Sequence, residues 1–221
     1  MKLSKLQTNG EEIANAISHG VMVFFGIAIL TVMLIHCNGD GYRIAGAIIY
    51  GTATILLYTF SCLYHAITNH FAKTVVLKRF DHISIYLLIG GTYAPILLCF
   101  PYFQDTASFI PGLSLGVLIL IIEWILIVCG ITFKSIWLRK KHWIHLALYL
   151  ILGWTSIFFM GDIYHTDPAF FWFVLAGGLA YTIGVVFYVL SKVYYFHFVW
   201  HIFVCAATIL HALGIILYIY N

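Results

Sequence analysis

Three histidines and one aspartate stand at the ends of separate apolar segments in this sequence. His65 ends one segment, Asp81 begins the next, and His197 and His201 begin the last. Ionisable groups at membrane depth are costly and usually mark function. Imidazole nitrogens and carboxylate oxygens are also ligands that zinc accepts. We therefore predict that these four side chains converge to bind or serve a metal ion.

The pair His197 and His201 has the spacing of a helical metal motif. Residues four apart share one face of a helix, roughly 6 Å apart along its axis, so both rings can grip one ion. With His65 as a third nitrogen ligand, the fourth position is open, as in catalytic zinc sites. Zinc lowers the pKa of a bound water to about 7 and polarises a carbonyl. Asp81 could hold or deprotonate that water, and Ser61 could orient a water or ligand.

Other interpretations of these residues stay open. An isolated histidine near a membrane interface is often only hydrogen-bonded there, and Asp81 could belong to an interfacial ion pair. Cys62 and Cys205 lie within about one helical turn of His65 and His201. A ligand set that included a thiolate would indicate a closed, structural zinc site instead.

The composition identifies the class of protein that must position these residues. Of 221 residues, 63% are hydrophobic and 9% are charged, whereas a soluble domain has about 25% charged residues. We predict an integral membrane protein with a single transmembrane domain over residues 1–221. The first apolar run is too long for a signal-peptide core and is taken as a retained span. The five cysteines are odd in number and scattered, which argues against a disulfide framework, and the small net charge predicts no nucleic-acid partner.

Seven apolar runs are close to the length of about 20 residues that a membrane-spanning helix needs. Turn-rich breaks at 38–41, 101–111 and 165–168 separate some of them. The predicted fold is an all-α membrane protein, a bundle of seven transmembrane helices. The pairs Gly90-Gly91 and Gly177-Gly178 predict close contacts between helices. The predicted spans cover residues 13–36, 44–66, 81–100, 110–133, 143–160, 169–190 and 196–220.

The distribution of basic residues predicts the orientation of the bundle. Lysine and arginine in short loops are retained on the cytoplasmic side. All of them except Arg43 lie in the N-terminal tail or in the second, fourth and sixth connections. The N-terminus is therefore predicted to be cytoplasmic and the C-terminus outside. In this orientation His65, Asp81, His197 and His201 all lie at the inner face of the membrane.

Further polar residues lie within the spans. Glu11, Asn15, Ser18 and His19 recur at helical spacing near the inner end of the first span. They either line the same cavity as the histidines or form only an amphipathic first turn of that helix.

Three other groups are expected to lie outside the metal site. Glu123 is near the middle of span four, where an ionised carboxylate is expensive, so we expect it to be protonated or paired. His211 lies ten residues beyond His201, roughly 15 Å deeper along the helix, which is too far to share its ion. Three more histidines are expected to be solvated, namely His70, His142 and His145.

Taken together, these motifs resemble the haemolysin III branch of the progestin and adipoQ receptor (PAQR) superfamily, which includes the adiponectin receptors. The resemblance covers nearly the whole chain, although Cys62 and Ala94 stand where the family often has threonine. The motifs are Glu11-x-x-x-Asn15 with Ser18-His19, Ser61-x-x-Tyr64-His65, Asp81-His82-x-x-Ile85-Tyr86, Gly91-Thr92-Tyr93-x-Pro95, Gly153-Trp154, Gly177-Gly178-x-x-Tyr181-Thr182-x-Gly184 and His197-x-x-Trp200-His201-x-Phe203-Val204.

The resemblance implies seven helices with a cytoplasmic N-terminus. It also implies zinc on His65, His197 and His201, with Asp81 and Ser61 nearby. Related receptors are associated with hydrolysis of lipid amides such as ceramide. The bacterial branch is named for haemolysis and is linked to membrane-lipid homeostasis.

The function predicted from these observations is zinc-dependent hydrolysis of an amide or ester bond of a membrane lipid, by a multi-pass protein of the bacterial plasma membrane. One alternative is a receptor or sensor in which zinc ties spans two and seven together. Another is a pore-forming cytolysin, which seven retained spans do not suit. No lysine lies within span seven to form a Schiff base, which excludes a retinal photoreceptor. The sequence leaves open the oligomeric state and whether the site is catalytic at all.

Overall fold

The computed structural model describes residues 7–136 and 142–221, except for the side chain of His142, and this part of the chain is almost entirely helical. Seven helical segments are long and apolar enough to cross a membrane, which confirms the predicted all-α bundle. These spans are Asn9–Ile35, Gly41–Ala66, Ala72–Cys99, Leu115–Ile136, Trp143–Thr166, Pro168–Val189 and Phe196–Tyr220. The helices are α1 (Asn9–Ile35), α2 (Gly41–Ala66), α3 (Lys78–Cys99), α4 (Pro101–Asp105), α5 (Leu115–Ile136), α6 (His142–Gly153), α7 (Met160–Thr166), α8 (Pro168–Val189) and α9 (Phe196–Ile215).

Two spans differ in form from the prediction. The third begins at Ala72, because a π-helical segment, Ala72–Leu77, runs directly into α3. Basic residues predicted to lie in a loop there, Lys73 among them, are therefore on a helix. The fifth span is interrupted, since α6 ends at Gly153 and a short 3₁₀ helix leads into α7. The orientation across the membrane stays a prediction, and part of its support lies outside the described residues, namely Lys2, Lys5, Arg139, Lys140 and Lys141.

Side chains that flank the breaks fix where the spans begin. The Thr8 hydroxyl accepts from the backbone N–H of Glu11, and the Glu11 carboxylate accepts from the backbone N–H of Thr8 at 2.8 Å, a capping box. Asp40 and Asp167 cap α2 and α8 by accepting backbone N–H groups in the first helical turn. Each cap satisfies donors that a helix start would otherwise leave unpaired within the membrane region.

The packing brings the predicted site residues to one end of the bundle. Helix α2 packs between α1 and α3, and α9 packs against α8 and α1. The end of α2 therefore lies beside the starts of α1, α3 and α9. We call this the N-terminal end of the bundle, because the chain begins there.

Glycines allow some of these helices to approach closely, as their pairing predicts. A Cβ atom built on Gly91 would lie 2.5 Å from the Cβ of Ala53, and one on Gly177 would lie 2.2 Å from the His211 ring. Both distances are shorter than real carbon contacts, so neither position has room for a methyl group. Close approach of this kind lets membrane helices gain dispersion energy along their length.

We expect Gly91→Ala to destabilise the protein by about 1–3 kcal/mol, the usual cost of overpacking a well-packed interior. The opposing Ala53 methyl group is fixed to its backbone, so α2 and α3 must separate. Gly161→Ala is the matched control, because Gly161 is helical and has nothing within 4 Å of a built Cβ. The measurement is unfolding in detergent, and equal stability of the two variants would contradict the prediction.

Candidate metal centre

The structure brings the three predicted nitrogen ligands together. One nitrogen each of His65, His197 and His201 lies within 4.8 Å of the other two. The ring centroids are 5.3 Å apart for His65 and His197, 5.0 Å for His65 and His201, and 4.8 Å for His197 and His201. His65 ends α2 and the other two begin α9, so the group joins the second and seventh spans. Within the described residues, this group could hold a metal ion.

The spacing can be compared with what a tetrahedral ion requires. Zn–N bonds of about 2.0–2.1 Å place two ligand nitrogens about 3.3 Å apart. The three nitrogens lie within 4.8 Å of one another, a range that includes this separation.

Hydrogen bonding leaves the second nitrogen of His65 available to a ligand. The His65 Nδ1 atom lies 2.7 Å from Oε2 of Glu12. An ionised carboxylate only accepts, so Nδ1 carries the hydrogen and Nε2 of the neutral ring keeps a lone pair. Nε2 is buried, and no described residue is its hydrogen-bond partner. A buried acceptor without a partner is costly, and a cation would satisfy it.

Glu12 is itself held in place by Lys73. The Lys73 ammonium donates to Oε1 of Glu12 at 2.6 Å and lies 5.4 Å from the centre of the Tyr64 ring. A histidine that donates its other N–H to a carboxylate is the usual outer arrangement around protein-bound zinc, where it fixes the ring and raises its basicity. The Glu12 and Lys73 pair therefore orients the His65 ring.

We expect Glu12→Ala to weaken metal binding roughly 10–100-fold, the range for the loss of an outer partner of a metal ligand. Glu12→Gln should weaken it less, because an amide oxygen still accepts from Nδ1 of His65. The measurement is a competitive titration with a chelating dye. Asp105→Ala, which removes an exposed carboxylate, should leave the affinity unchanged, and unchanged affinity in Glu12→Ala would contradict this role.

His201 is oriented in a similar way from α1. The Ser18 hydroxyl donates to the carbonyl of Asn15 at 2.9 Å and lies 3.4 Å from Nδ1 of His201. Since its one hydrogen is used, the hydroxyl accepts from Nδ1, which leaves the lone pair of His201 on Nε2. Glu11 fixes the start of α9 by accepting the backbone N–H of Tyr195 at 2.8 Å. The polar residues of the first span thus line the same region as the histidines.

His19 joins the group without being part of the three-nitrogen set. Its ring stacks on that of His201, with centroids 3.7 Å apart and an interplanar angle of 11°. It is buried, and within the part of the chain that the structure describes neither ring nitrogen has a hydrogen-bond partner. His19 therefore belongs to the wall of the candidate site, one of the two possibilities that its position in the sequence left open.

Asp81 and Ser61 lie beside the histidines. The Asp81 carboxylate interacts with the Ser61 hydroxyl and with His65, and its Oδ2 is 3.4 Å from Nδ1 of His82. It lies outside the three-nitrogen group. Among the described residues, Asp81 is therefore not one of the groups close enough together to hold one ion.

The competing ligands lie elsewhere. Cys62 faces Gly20 of α1, and neither it nor Cys205 belongs to the group that could hold an ion in the described chain. His211 bonds to the carbonyl of Val174 at 3.1 Å, away from the other histidines. The described structure therefore favours three imidazoles over a thiolate set.

The predicted environments of Glu123 and of the three remaining histidines can be compared with the structure. Glu123 is buried and one of its oxygens is hydrogen-bonded to Thr155, as expected for a paired group. The prediction that His145 is solvated is wrong, because its side chain is fully buried against Tyr86. His70 is exposed as predicted, and the side chain of His142 lies outside the described residues.

Glu12 and Lys73 are the site residues that sequence reasoning missed. Both appear in the sequence only as charges of a tail and a loop. The one feature that could have indicated a role for Glu12 is its position at the same end of the bundle as His65. Two adjacent glutamates precede the first span, and only the rotation of α1 decides which of them faces α2.

An apolar cavity lies next to the candidate site. It is lined by side chains from α3, α6, α8 and α9, among them Leu88, Leu150, Val185 and Val204. Tyr188 and Trp200 also line it, and the Tyr188 ring lies 6.0 Å from that of His197. The cavity thus reaches the residues that stand beside the three histidines.

Comparison with known proteins identifies the family. Residues 7–212 match the profile described as haemolysin-III related. The chain belongs to the haemolysin III family. It is 35% identical to the "Hemolysin-3 homolog" of Bacillus subtilis (strain 168) over 201 residues, covering 90% of this chain and 89% of that protein. It is 34% identical to the "Hemolysin-3" of Bacillus cereus over 212 residues, covering 95% and 92%.

A more distant relative extends the similarity to animals. The human protein "Monocyte to macrophage differentiation factor" is 25% identical over 216 residues, covering 96% of this chain and 85% of that protein. The predicted resemblance to haemolysin III and the PAQR superfamily is confirmed. Together with seven apolar spans, the family relatives point to a multi-pass protein of the bacterial cell membrane.

Proposed function

We propose that this haemolysin III family member is a zinc-dependent hydrolase of amide or ester bonds in membrane lipids. Two observations carry the proposal: Nε2 of His65 is buried without a hydrogen-bond partner among the described residues, and one nitrogen of His65 lies within 4.8 Å of one nitrogen each of His197 and His201. Three imidazoles from two helices leave a fourth position open, as in catalytic rather than structural zinc sites. When bound, zinc would supply Lewis acidity to a carbonyl and to a water.

Side chains of the protein would accept the proton and position the substrate. In this proposal the Asp81 carboxylate accepts a proton from a water held near His65, and its interaction with His65 supports that role. Ser61 donates towards Asp81 and keeps that carboxylate oriented. Tyr188 and Trp200 form the boundary between the histidines and the apolar cavity, so an acyl chain in the cavity would present its carbonyl to the site. We infer a lipid substrate because the apolar cavity adjoins the histidines and Asp81.

The test is hydrolysis by the purified full-length chain in vesicles. The vesicles contain either a ceramide or a phosphatidylglycerol, as a lipid amide and a lipid ester, and released fatty acid is measured. The zinc-loaded wild type should release fatty acid, and the chelator-treated protein and His197→Ala should not. Full hydrolysis by a metal-free His197→Ala/His201→Ala variant would overturn the proposal.

One alternative remains tied to the same geometry. The group joins α2 to α9, so a bound ion could serve only to hold those helices together in a receptor or sensor. In that case removal of the metal would lower stability, and the metal-loaded wild type would hydrolyse neither lipid. The vesicle assay and an unfolding measurement on the same samples separate the two functions.

A further inference from the structure

Two further buried polar groups, separate from the three histidines, lie at the N-terminal end of the bundle. Lys134 occupies the last turn of α5 and His145 the first turns of α6, and both side chains are fully buried. Nζ of Lys134 and Nε2 of His145 have no hydrogen-bond partner among residues 7–136 and 142–221. Buried lysine is rare unless it is paired, and a buried charge without a partner is among the costliest features a fold can carry.

The hydrogen on His145 can be assigned from its single partner. The Tyr86 hydroxyl lies 2.9 Å from Nδ1 of His145 and is itself fully buried. If Tyr86 accepted from Nδ1, its own hydrogen would be left without an acceptor. Tyr86 therefore donates to Nδ1, and the hydrogen of the neutral ring is on Nε2. Both unpartnered atoms, Nζ and Nε2, are then donors.

The two donors belong to one neighbourhood. Helices α3, α5 and α6 pack against one another, and the Lys134 ammonium acts electrostatically on His145. The ring of the adjacent Phe133 lies 5.6 Å from that of His145. Gly130, one turn before Lys134, allows the Tyr86 ring to lie against α5, since a Cβ there would be 2.6 Å from it.

The charged groups in the described part of the chain do not supply an acceptor. Of the described residues, Lys78 repels the Lys134 ammonium and Asp81 attracts it. The Asp81 carboxylate is engaged with Ser61 and His82 and makes no ion pair with Lys134. The last turn of a helix favours a basic side chain, yet the Lys134 ammonium bonds to none of the carbonyls there.

We propose that Lys134 and His145 bind a phosphate group between α3, α5 and α6. Two donors from different helices can each take a separate oxygen of one phosphate, and lysine binds phosphate as a point charge. The pair lies at the ends of the spans, the level at which phospholipid headgroups occur. Basic pockets between transmembrane helices bind lipid phosphates in this way. The phosphate belongs either to a lipid headgroup or to free inorganic phosphate.

The experiment measures ligand-dependent thermal unfolding of the delipidated full-length protein in maltoside detergent. Three additives are titrated separately: phosphatidylglycerol, inorganic phosphate, and a phosphate-free galactolipid. The proteins are the wild type, Lys134→Met, His145→Phe and the control Lys192→Met, which removes an exposed lysine. Lys134→Met keeps the length of the side chain, and His145→Phe keeps an aromatic ring in place.

A phosphate-bearing additive should raise the unfolding temperature of the wild type and of Lys192→Met. Lys134→Met and His145→Phe should need at least about tenfold more additive, the factor for one lost hydrogen bond to a charged group. A response to phosphatidylglycerol alone assigns the site to a lipid headgroup, and a response to both phosphates assigns it to the phosphate itself.

Other results would overturn the proposal. Equal responses of Lys134→Met and Lys192→Met would show general charge attraction. An equal response of the wild type to the galactolipid would show that phosphate is not recognised. No response of the wild type to any additive would mean that water alone satisfies the two donors. If Lys134→Met does not fold, the comparison of His145→Phe with Lys192→Met decides the question.

Discussion

Alanine in place of His201 should abolish metal binding by the purified protein. The wild type should contain about one zinc per chain, since three histidines on two helices form one site. His201 supplies one of three nitrogens, and its own orientation is fixed by Ser18. The loss of affinity should exceed the roughly 100-fold upper limit for outer partners of a metal ligand. The measurement is metal content by mass spectrometry after gel filtration.

The control for this experiment is His70→Ala. His70 is exposed near the end of α2, so this variant removes an imidazole near the site without touching the three ligands. Its metal content should equal that of the wild type. A folded His201→Ala variant that retained its full complement of zinc would contradict the proposed ligand set, whatever its activity.

Asparagine in place of Asp81 should eliminate most of the lipid hydrolysis and leave the metal bound. Asparagine has nearly the shape of aspartate but cannot accept a proton from water at neutral pH. Loss of a general base costs about 10²–10⁴-fold in rate. Asp81 lies outside the three-nitrogen group, so metal content should stay at the wild-type value. The measurement is the turnover number in the vesicle assay, beside metal content.

Asp105→Asn is the matched control, because Asp105 is exposed on the short helix α4. It should keep both metal and turnover. If Asp81→Asn instead lost zinc in proportion to activity, Asp81 would be a ligand and not the base. If it kept full turnover, the proposed role of Asp81 would be wrong while the metal site remained.

The candidate metal site and the proposed phosphate site lie at the same end of the bundle but use different helices. The three histidines are on α2 and α9, and Lys134 and His145 are on α5 and α6. Asp81 on α3 interacts electrostatically with a residue of each site, namely His65 and Lys134. A Lys134→Met variant that loses phosphate binding but retains zinc would show that the two sites are independent.

The number of spans and the end of the bundle at which the histidines lie could be predicted from the sequence. Seven apolar runs predict seven spans because a helix is the local way to satisfy every backbone group in lipid. The spacing of His197 and His201 places both rings on one helix face without reference to any other helix. Alternation of span direction places His65 and Asp81 at the same end as that pair. These features depend on local helix geometry, so they can be predicted from the sequence.

The tertiary structure decided what depends on how each helix is rotated and how closely it packs. Glu11 and Glu12 are neighbours in the sequence, yet Glu11 caps α1 and holds Tyr195 while Glu12 holds His65. His145 was expected in solvent and is instead buried against Tyr86. A helix turns about 100° per residue. An error of one residue, or about 100°, in the rotation of a helix therefore moves a side chain from a site into lipid. Only the contacts between helices determine that rotation.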